Sequence, residues 1–253
     1  MNPLFSKSSL TILESFSFTK TLYAFDFDGT LSKIVRTPSA ATISVKTNQL
    51  LKDLSSRVPV AIISGRGLAD LKRRLVFIPP YLVGNHGLEG LPDGASGLDQ
   101  AKDVCRTWKN ALSKASFGAG VEIEDKIFSL AIHYRRSRQK KIAKAKIMSA
   151  FNQLDPAPKI IGGKSVVNLI PPGAPHKGAA VLELARRIGA RHIFYIGDDD
   201  TDEDVFSLPD SNLLSVRVGQ KATSQARYYI RSQSEINRVL QQLIRFHPVD
   251  KHP

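Results

Sequence analysis

Cysteine is almost missing from this chain. Its 253 residues contain one, Cys105, which rules out an internal disulfide and leaves no thiolate metal pattern. A small, buried, apolar role is expected for it. Long apolar runs are also missing: none approaches the roughly 20 residues that cross a bilayer, so no membrane partner is expected. Residues 1–20 lack both a long apolar stretch and a small-residue cleavage site, and read as a short polar lead-in to a cytoplasmic protein. Acidic residues are scarce beside basic ones, 23 against 36, for a net charge of +13. Such a surplus is a common footprint of nucleic-acid binding. Zinc-finger spacing, an aromatic RNA-binding signature and a disordered basic tail are all missing, however, so nucleic acid is not the expected partner. The surplus is concentrated instead, with 14 basic and 6 acidic residues in 95–171. Much of it falls around Arg135–Lys146, where Ile147, Phe151 and Leu154 at helical spacing predict a solvated lysine face over a buried apolar one.

What is present is more telling. Tyr23-Ala-Phe-Asp26-Phe-Asp28-Gly-Thr30 ends a short apolar run with two carboxylates two residues apart. In an extended strand both point the same way, at the C-terminal end where open α/β sheets bind ligands. One carboxylate can act as a nucleophile while the other handles a proton, and together they can hold a hard cation. The competing reading is a hairpin turn at Asp28-Gly29. Two further apolar runs break off in the same manner: Val58–Ile63 into Ser64-Gly65-Arg66, and Ile193–Ile196 into Gly197-Asp198-Asp199-Asp200-Thr201-Asp202-Glu203-Asp204. The acidic run is not an EF-hand, because its sixth and twelfth positions from Asp198 are Glu203 and Pro209.

Periodicity places these motifs. Strand-like runs at 22–27, 58–63, 81–83 and 193–196 alternate with helix-like segments at 44–54, 68–75 and 179–188, which predicts an α/β fold with a parallel, helix-covered sheet. The middle differs. Helices near 101–115 and 139–154, with strands at 121–123, 127–134 and 166–170, predict a small α+β insertion. Pro171–Pro175 and Leu91-Pro92-Asp93-Gly94 read as the crossings into and out of it. The expected division is a core of 1–93 and 172–253 and an inserted unit of 94–171.

The motifs Asp26-Phe27-Asp28-Gly29-Thr30, Ser64, Lys177 and Gly197-Asp198-Asp199 resemble those of the haloacid dehalogenase superfamily of phosphohydrolases, over nearly the whole chain. Within it the chain resembles the trehalose-6-phosphate phosphatases, on Ile63–Arg66, Gly84-Asn85-His86-Gly87-Leu88-Glu89, His133-Tyr134-Arg135 and Gly197–Asp204. The resemblance implies a Rossmann-like core with a C2-type cap, and a Mg2+-dependent phosphatase working on a sugar phosphate through an aspartyl phosphate. It implies Asp26 as nucleophile, Asp28 as acid and base, and Ser64 and Lys177 as holders of the phosphoryl oxygens. Metal ligands would be Asp26, the main chain of Asp28, and Asp198. Asp199 and Asp202 would orient Lys177 and metal-bound water, with Thr30 and Gly65 supporting. Substrate contacts would come from Arg66, Asn85, His86, Glu124, Lys126, Arg135, Lys164 and Asn168.

Several of these positions keep a plainer alternative. Asn85-His86-Gly87 could be a strand-ending turn with a satisfied histidine. Glu124, Lys126 and Arg135 could form ion pairs on adjacent strands. Asn168 stands where many members carry glutamate, which leaves the sugar open between trehalose 6-phosphate and another glycosyl phosphate such as sucrose phosphate or glucosylglycerol phosphate. A catalytically dead regulatory homologue is the alternative of another class, and intact Asp26, Asp28, Lys177 and Asp198 argue against it. A monomer is the expected state.

Overall fold

The computed structural model describes residues 1–35, 40–91, 98–163 and 165–248. Two compact units emerge, one of Met1–Gly90 with His176–Pro253 and one of Leu91–Pro175. Of the expected crossings, 92–94 lie outside the described residues.

The first unit is an α/β layer structure. Its strands are β1 (Asn2–Pro3), β2 (Thr21–Phe25), β3 (Val60–Ile63), β4 (Tyr81–Val83), β9 (His192–Gly197), β10 (Leu213–Val218) and β11 (Tyr228–Ile230), while β5–β8 belong to the second unit. They form one sheet in the order β1-β11-β10-β9-β2-β3-β4, with every pair parallel. The continuous apolar runs have their cause here: β2 and β3 are buried along their whole length, as strands covered on both faces must be. Helices α1 (Lys7–Ser15), α2 (Val45–Ser55), α3 (Leu68–Arg74), α6 (Lys177–Ile188), α7 (Glu203–Phe206) and α8 (Ile236–Phe246) belong to this unit. Leu51 and Leu54 of α2 pack with Val239, Leu240 and Leu243 of α8 in one core with Tyr23, Phe25, Ile62, Phe194 and Val216.

Two expectations for this unit are corrected. Residues 1–20 are no lead-in: Asn2–Pro3 pair with Tyr228–Tyr229, Ser6 caps α1, and Leu4, Leu13 and Phe16 are buried. Burying three such side chains contributes on the order of 5 kcal/mol. Helix α6 opens at Lys177, capped by His176, instead of at Ala179. Gly178 looks like a breaker in sequence, but a Cβ there would lie 2.2 Å from the Asp204 carbonyl, so the first turn needs glycine for close approach.

The second unit is α+β. Helices α4 (Leu98–Leu112) and α5 (Lys140–Phe151) accompany an antiparallel sheet of β5 (Glu122–Asp125), β6 (Leu130–His133), β8 (Val166–Ile170) and β7 (Lys159–Gly163), in that spatial order. Its core gathers Cys105, Trp108, Ile132, Ile147, Phe151 and Val167, and Trp108 Nε1 donates to the Pro156 carbonyl at 2.9 Å. Cys105 is buried as expected, and burial, helped by Asp125, pushes its thiol up to about 12. Lys140, Lys141, Lys144 and Lys146 are exposed above buried Ala143, Ile147 and Phe151. The strand expected from Ile127 starts only at Leu130, because Ile127 takes a positive φ of 72° in a turn closed by Phe128 N–H on the Lys126 carbonyl.

Candidate active site

Strand β2 sits between β3 and β9, so three strand ends converge at one point on the C-terminal edge of the sheet. Asp26 follows β2 directly, and its N–H donates to the Ile196 carbonyl of β9 at 2.9 Å. Both partners of β2 are parallel to it, which excludes the hairpin reading of Asp28-Gly29. Gly29 turns the chain at φ +83°, and a Cβ there would lie 2.2 Å from the Asp198 carboxylate. That contact and that φ together require glycine. Thr30 is fully buried, and its Oγ1 has no hydrogen-bond partner among the described residues.

Lys177 lies at the centre of the cluster. Its buried Nζ donates to Asp26 Oδ1 and to Asp202 Oδ1, each at 2.7 Å. Burial alone would push this ammonium down, but Asp202 and Asp26 raise it well above the usual lysine range, so it stays charged. Asp202 is fully buried and also accepts from Tyr195 Oη at 2.7 Å, while its Oδ2 accepts from the Asp199 N–H at 2.9 Å. Asp199 in turn accepts from the Asp200 N–H and closes a capping box with Asp202. A Cβ on Gly197 would meet the Asp202 Cγ at 2.2 Å, so the strand end must be bare for this carboxylate to fold back.

The carboxylates of Asp26, Asp198 and Asp202 each offer an oxygen within 4.8 Å of the others. Both oxygens of Asp202 already accept hydrogen bonds, leaving Asp26 and Asp198 as the donors suited to a hard cation. The donor set is all oxygen, as magnesium requires.

Beside this cluster, buried Ser64 directly follows β3, and its Oγ accepts from the Arg66 N–H at 3.1 Å. Arg66, expected on the substrate, grips Asp28 with Nε at 2.6 Å and Nη2 at 2.7 Å, and reaches Asp70 with Nη1 at 2.8 Å. Partial burial would raise Asp70, but hydrogen bonds from Arg74 and Arg66 hold it down at about 2. Asn85 and His86 form a left-handed turn at φ 48° and 59° with both side chains buried. The His86 ring lies over Gly65, where a Cβ would come within 2.4 Å of its Cε1. Glu89 ties this loop to the next: its Oε2 accepts from Asn85 Nδ2 and from the Leu68 N–H, both at 2.7 Å.

In the second unit, Glu124, Ala131, Asn168 and Ile161 stand in one cross-strand row and hence on one face of the sheet. Glu124 pairs with His133 Nε2 at 2.8 Å, and Lys126 Nζ reaches Asn168 Oδ1 at 3.4 Å. Arg135 is half-buried just past β6, and Lys164 lies outside the described residues. Reasoning from sequence assigned no role to Tyr195, Arg217, Asp70 or Glu89. Glu89 carried a signal as the last residue of the Gly84–Glu89 motif, and Asp70 carried one in standing four residues from both Arg66 and Arg74.

A model of the trehalose-phosphatase family matches residues 24–234. The chain belongs to this family. Among curated relatives of this chain, a trehalose-phosphate phosphatase of Mycolicibacterium paratuberculosis is 37% identical over 194 residues, covering 72% of this chain and 49% of the relative. An uncharacterized glycosyl hydrolase of Mycobacterium tuberculosis is 35% identical over 199 residues, 72% of this chain and 15% of that protein. The chain thus spans about half the length of the trehalose-phosphate phosphatase it matches, and less of the glycosyl hydrolase. The C-terminal domain of trehalose-6-phosphate phosphatase from C. albicans shares the fold at a TM-score of 0.73 and 24% identity, over 96% of this chain and 98% of that one. A parallel α/β core with an inserted α+β unit is the haloacid dehalogenase architecture that the motifs implied. Among the described residues, no helix is long and apolar enough to cross a membrane.

Proposed function

We propose that the protein is a Mg2+-dependent phosphatase that removes the 6-phosphate of trehalose 6-phosphate and releases trehalose. The observation that carries this reading is the buried Asp26–Lys177–Asp202 cluster beside Asp198, inside the span matched by the trehalose-phosphatase model. A phosphate dianion repels an anionic nucleophile, so the site must supply positive charge and fixed geometry. Asp26 attacks phosphorus and the P–O bond to the sugar breaks, giving an aspartyl phosphate. Asp28 gives its proton to the departing sugar oxygen, then takes one from the water that hydrolyses the acyl phosphate. Asp26, Asp198 and the Asp28 carbonyl would hold Mg2+, which supplies charge against the phosphoryl oxygens when bound. Ser64 and Lys177 hold the same oxygens from the protein side, and Asp202 keeps Lys177 aimed at Asp26. Arg66 grips the Asp28 carboxylate at both oxygens, an arrangement that favours the ionised form, so in this reading Asp28 leaves that fork and takes up a proton before it acts as the acid.

The unit of Leu91–Pro175 serves in this reading as the cap, with Glu124, Lys126, Arg135, Lys164 and Asn168 as its sugar-reading residues, and Asn85 and His86 are the substrate contacts assigned to the first unit. In this reading the protein is a monomer of the cytosol, and its single buried thiol is compatible with a reducing compartment. Asn168 favours a second reading, another glycosyl phosphate, because an amide gives a sugar hydroxyl a weaker acceptor than a carboxylate. Phosphate release measured over trehalose 6-phosphate, sucrose 6-phosphate, glucosylglycerol phosphate and glucose 6-phosphate tests the assignment. A kcat/KM highest on trehalose 6-phosphate supports it, and a higher value on any other ester overturns it.

A further inference from the structure

Arg217 is 7% exposed on β10, in register with Gly197 at the end of β9. Its Nη2 donates to the main-chain carbonyl of Asp198 at 2.6 Å, and its Nη1 donates to the carbonyl of Asp199 at 3.3 Å and to Glu203 Oε1 at 2.9 Å. The other Glu203 oxygen accepts from the Gln225 N–H at 2.9 Å, which fixes the carboxylate that faces the guanidinium. An arginine this deep in a strand is costly to desolvate, and an aliphatic residue would serve a sheet better if packing were the only need. Its donors go instead to the two consecutive carbonyls of the loop that carries Asp198. A planar fork reaching two carbonyls fixes the orientation of that loop as a single point charge would not.

We propose that Arg217 is a positioning residue that sets the affinity of the site for its divalent cation. By holding the Asp198 and Asp199 carbonyls it keeps the Asp198 carboxylate against Gly29 and facing Asp26. The inference rests on the reading of Asp26 and Asp198 as metal ligands. Groups that orient ligands from behind typically change metal affinity 10–100-fold when removed.

The test is direct cation binding to the full chain, free of substrate, by Mn2+ titration with electron paramagnetic resonance and by the Mg2+ dependence of the melting temperature. Arg217→Gln is expected to weaken the cation about 10-fold, toward the low end of that range because the ligands themselves remain. Arg217→Lys, which keeps one charge-assisted donor, is expected to recover part of the loss. Glu203→Gln, which removes the anchor of Nη1, should weaken binding less than Arg217→Gln and carries the test together with Arg217→Lys if Arg217→Gln fails to fold. A purely architectural arginine would lower the melting temperature of the cation-free variants and leave the cation dissociation constant within twofold of wild type, and that result overturns the proposal. If the wild-type chain itself binds no divalent cation, the metal reading of the site falls and the inference with it.

Discussion

Asp202→Asn isolates the physics of the buried cluster, because it removes a charge without removing volume. In the wild type Asp202 accepts from Lys177 Nζ, Tyr195 Oη and the Asp199 N–H at 2.7, 2.7 and 2.9 Å, with no exposure to solvent. An amide can offer one oxygen only. If that oxygen stays on Lys177 and Tyr195, its NH2 faces the Asp199 N–H, and a buried donor without an acceptor costs about 1–3 kcal/mol. The bond to Lys177 also loses its charge assistance, about 1 kcal/mol more. The total of about 3 kcal/mol corresponds to a fall of roughly 6–12 °C in melting temperature for a chain of this size. Lys177 is left with Asp26 as its one anionic partner, so the ammonium sits more tightly on the nucleophile that must attack. A loss of about 100-fold in kcat, equal to about 2.7 kcal/mol, is expected. Tyr195→Phe removes a single O–H donor and should cost about 1–2 kcal/mol and a few-fold in kcat. Burial and the adjacent Asp202 push the Tyr195 phenol well up, so it remains a donor at any working pH. Because Tyr195 acts through Asp202, the double variant should lose less than the sum of the two. Thermal unfolding and phosphate release from p-nitrophenyl phosphate read both quantities. Strict additivity, or Tyr195→Phe as damaging as Asp202→Asn, would refute the relay from Tyr195 through Asp202 to Lys177.

Asp26→Asn should lower turnover at least ~1,000-fold with an unchanged far-ultraviolet spectrum, since an amide is a poor nucleophile; substantial residual hydrolysis by the folded variant would sink the covalent mechanism. Excess chelator should silence the enzyme reversibly, with magnesium restoring activity and zinc failing to; activity that persists in chelator contradicts the cation's role. Against the pull of partial burial, hydrogen bonds from Arg74 and Arg66 hold Asp70 down at about 2, below its ordinary 3.8, so its contribution is fully present above about pH 4 and is lost as pH falls through 2. Its side chain is one-quarter exposed, which reduces the contribution to about 1 kcal/mol. Urea unfolding of Asp70→Asn should therefore differ from wild type at pH 7 and converge with it near pH 2, and a gap constant across that range would show that the ion pairs contribute nothing. Alanine at Glu124, Lys126 or Arg135 should impair trehalose 6-phosphate turnover at least ~10-fold more than that of p-nitrophenyl phosphate; equal losses on the two esters would remove these residues from sugar recognition.

The strands of the first sheet were legible where burial on both faces leaves continuous apolar runs, as in β2, β3 and β9. The N-terminal elements were not, because Leu4, Leu13 and Phe16 reach the core from a segment otherwise rich in Ser, Thr and Lys. Strand β7 was missed because it is an edge strand that ends in two glycines and has two exposed residues among its first three. Within the site, Asp26 could be read from the paired carboxylates and Lys177 and Asp202 from the family resemblance of their motifs, and the structure brings the three together. Arg217 could not. The run Leu213–Val218 was not among the expected strands, and only β9 with its acidic loop alongside gives the arginine its carbonyl acceptors. Glu89 was quoted only as the last residue of its motif, because its Leu68 partner lies 21 residues away; Asp70 was passed over although Arg66 and Arg74 stand four residues to either side of it, at helical spacing.

The discontinuity of the first unit has a consequence for how the chain is made. Asp26 and Lys177 lie 151 residues apart, and the whole of Leu91–Pro175 leaves the ribosome between them. At about 5–20 residues per second, roughly 8–30 s separate the nucleophile from its ammonium partner. For that interval β2 has β3 beside it and no β9, so a fully buried strand of the finished protein presents an open hydrogen-bonding edge to its surroundings. The inserted unit is continuous in sequence and has its own core, so it can close while the sheet waits. Nascent chains are therefore most vulnerable to aggregation and proteolysis during that window. Chaperone dependence during synthesis should track the translation rate of residues 91–191 more closely than the stability of the finished fold.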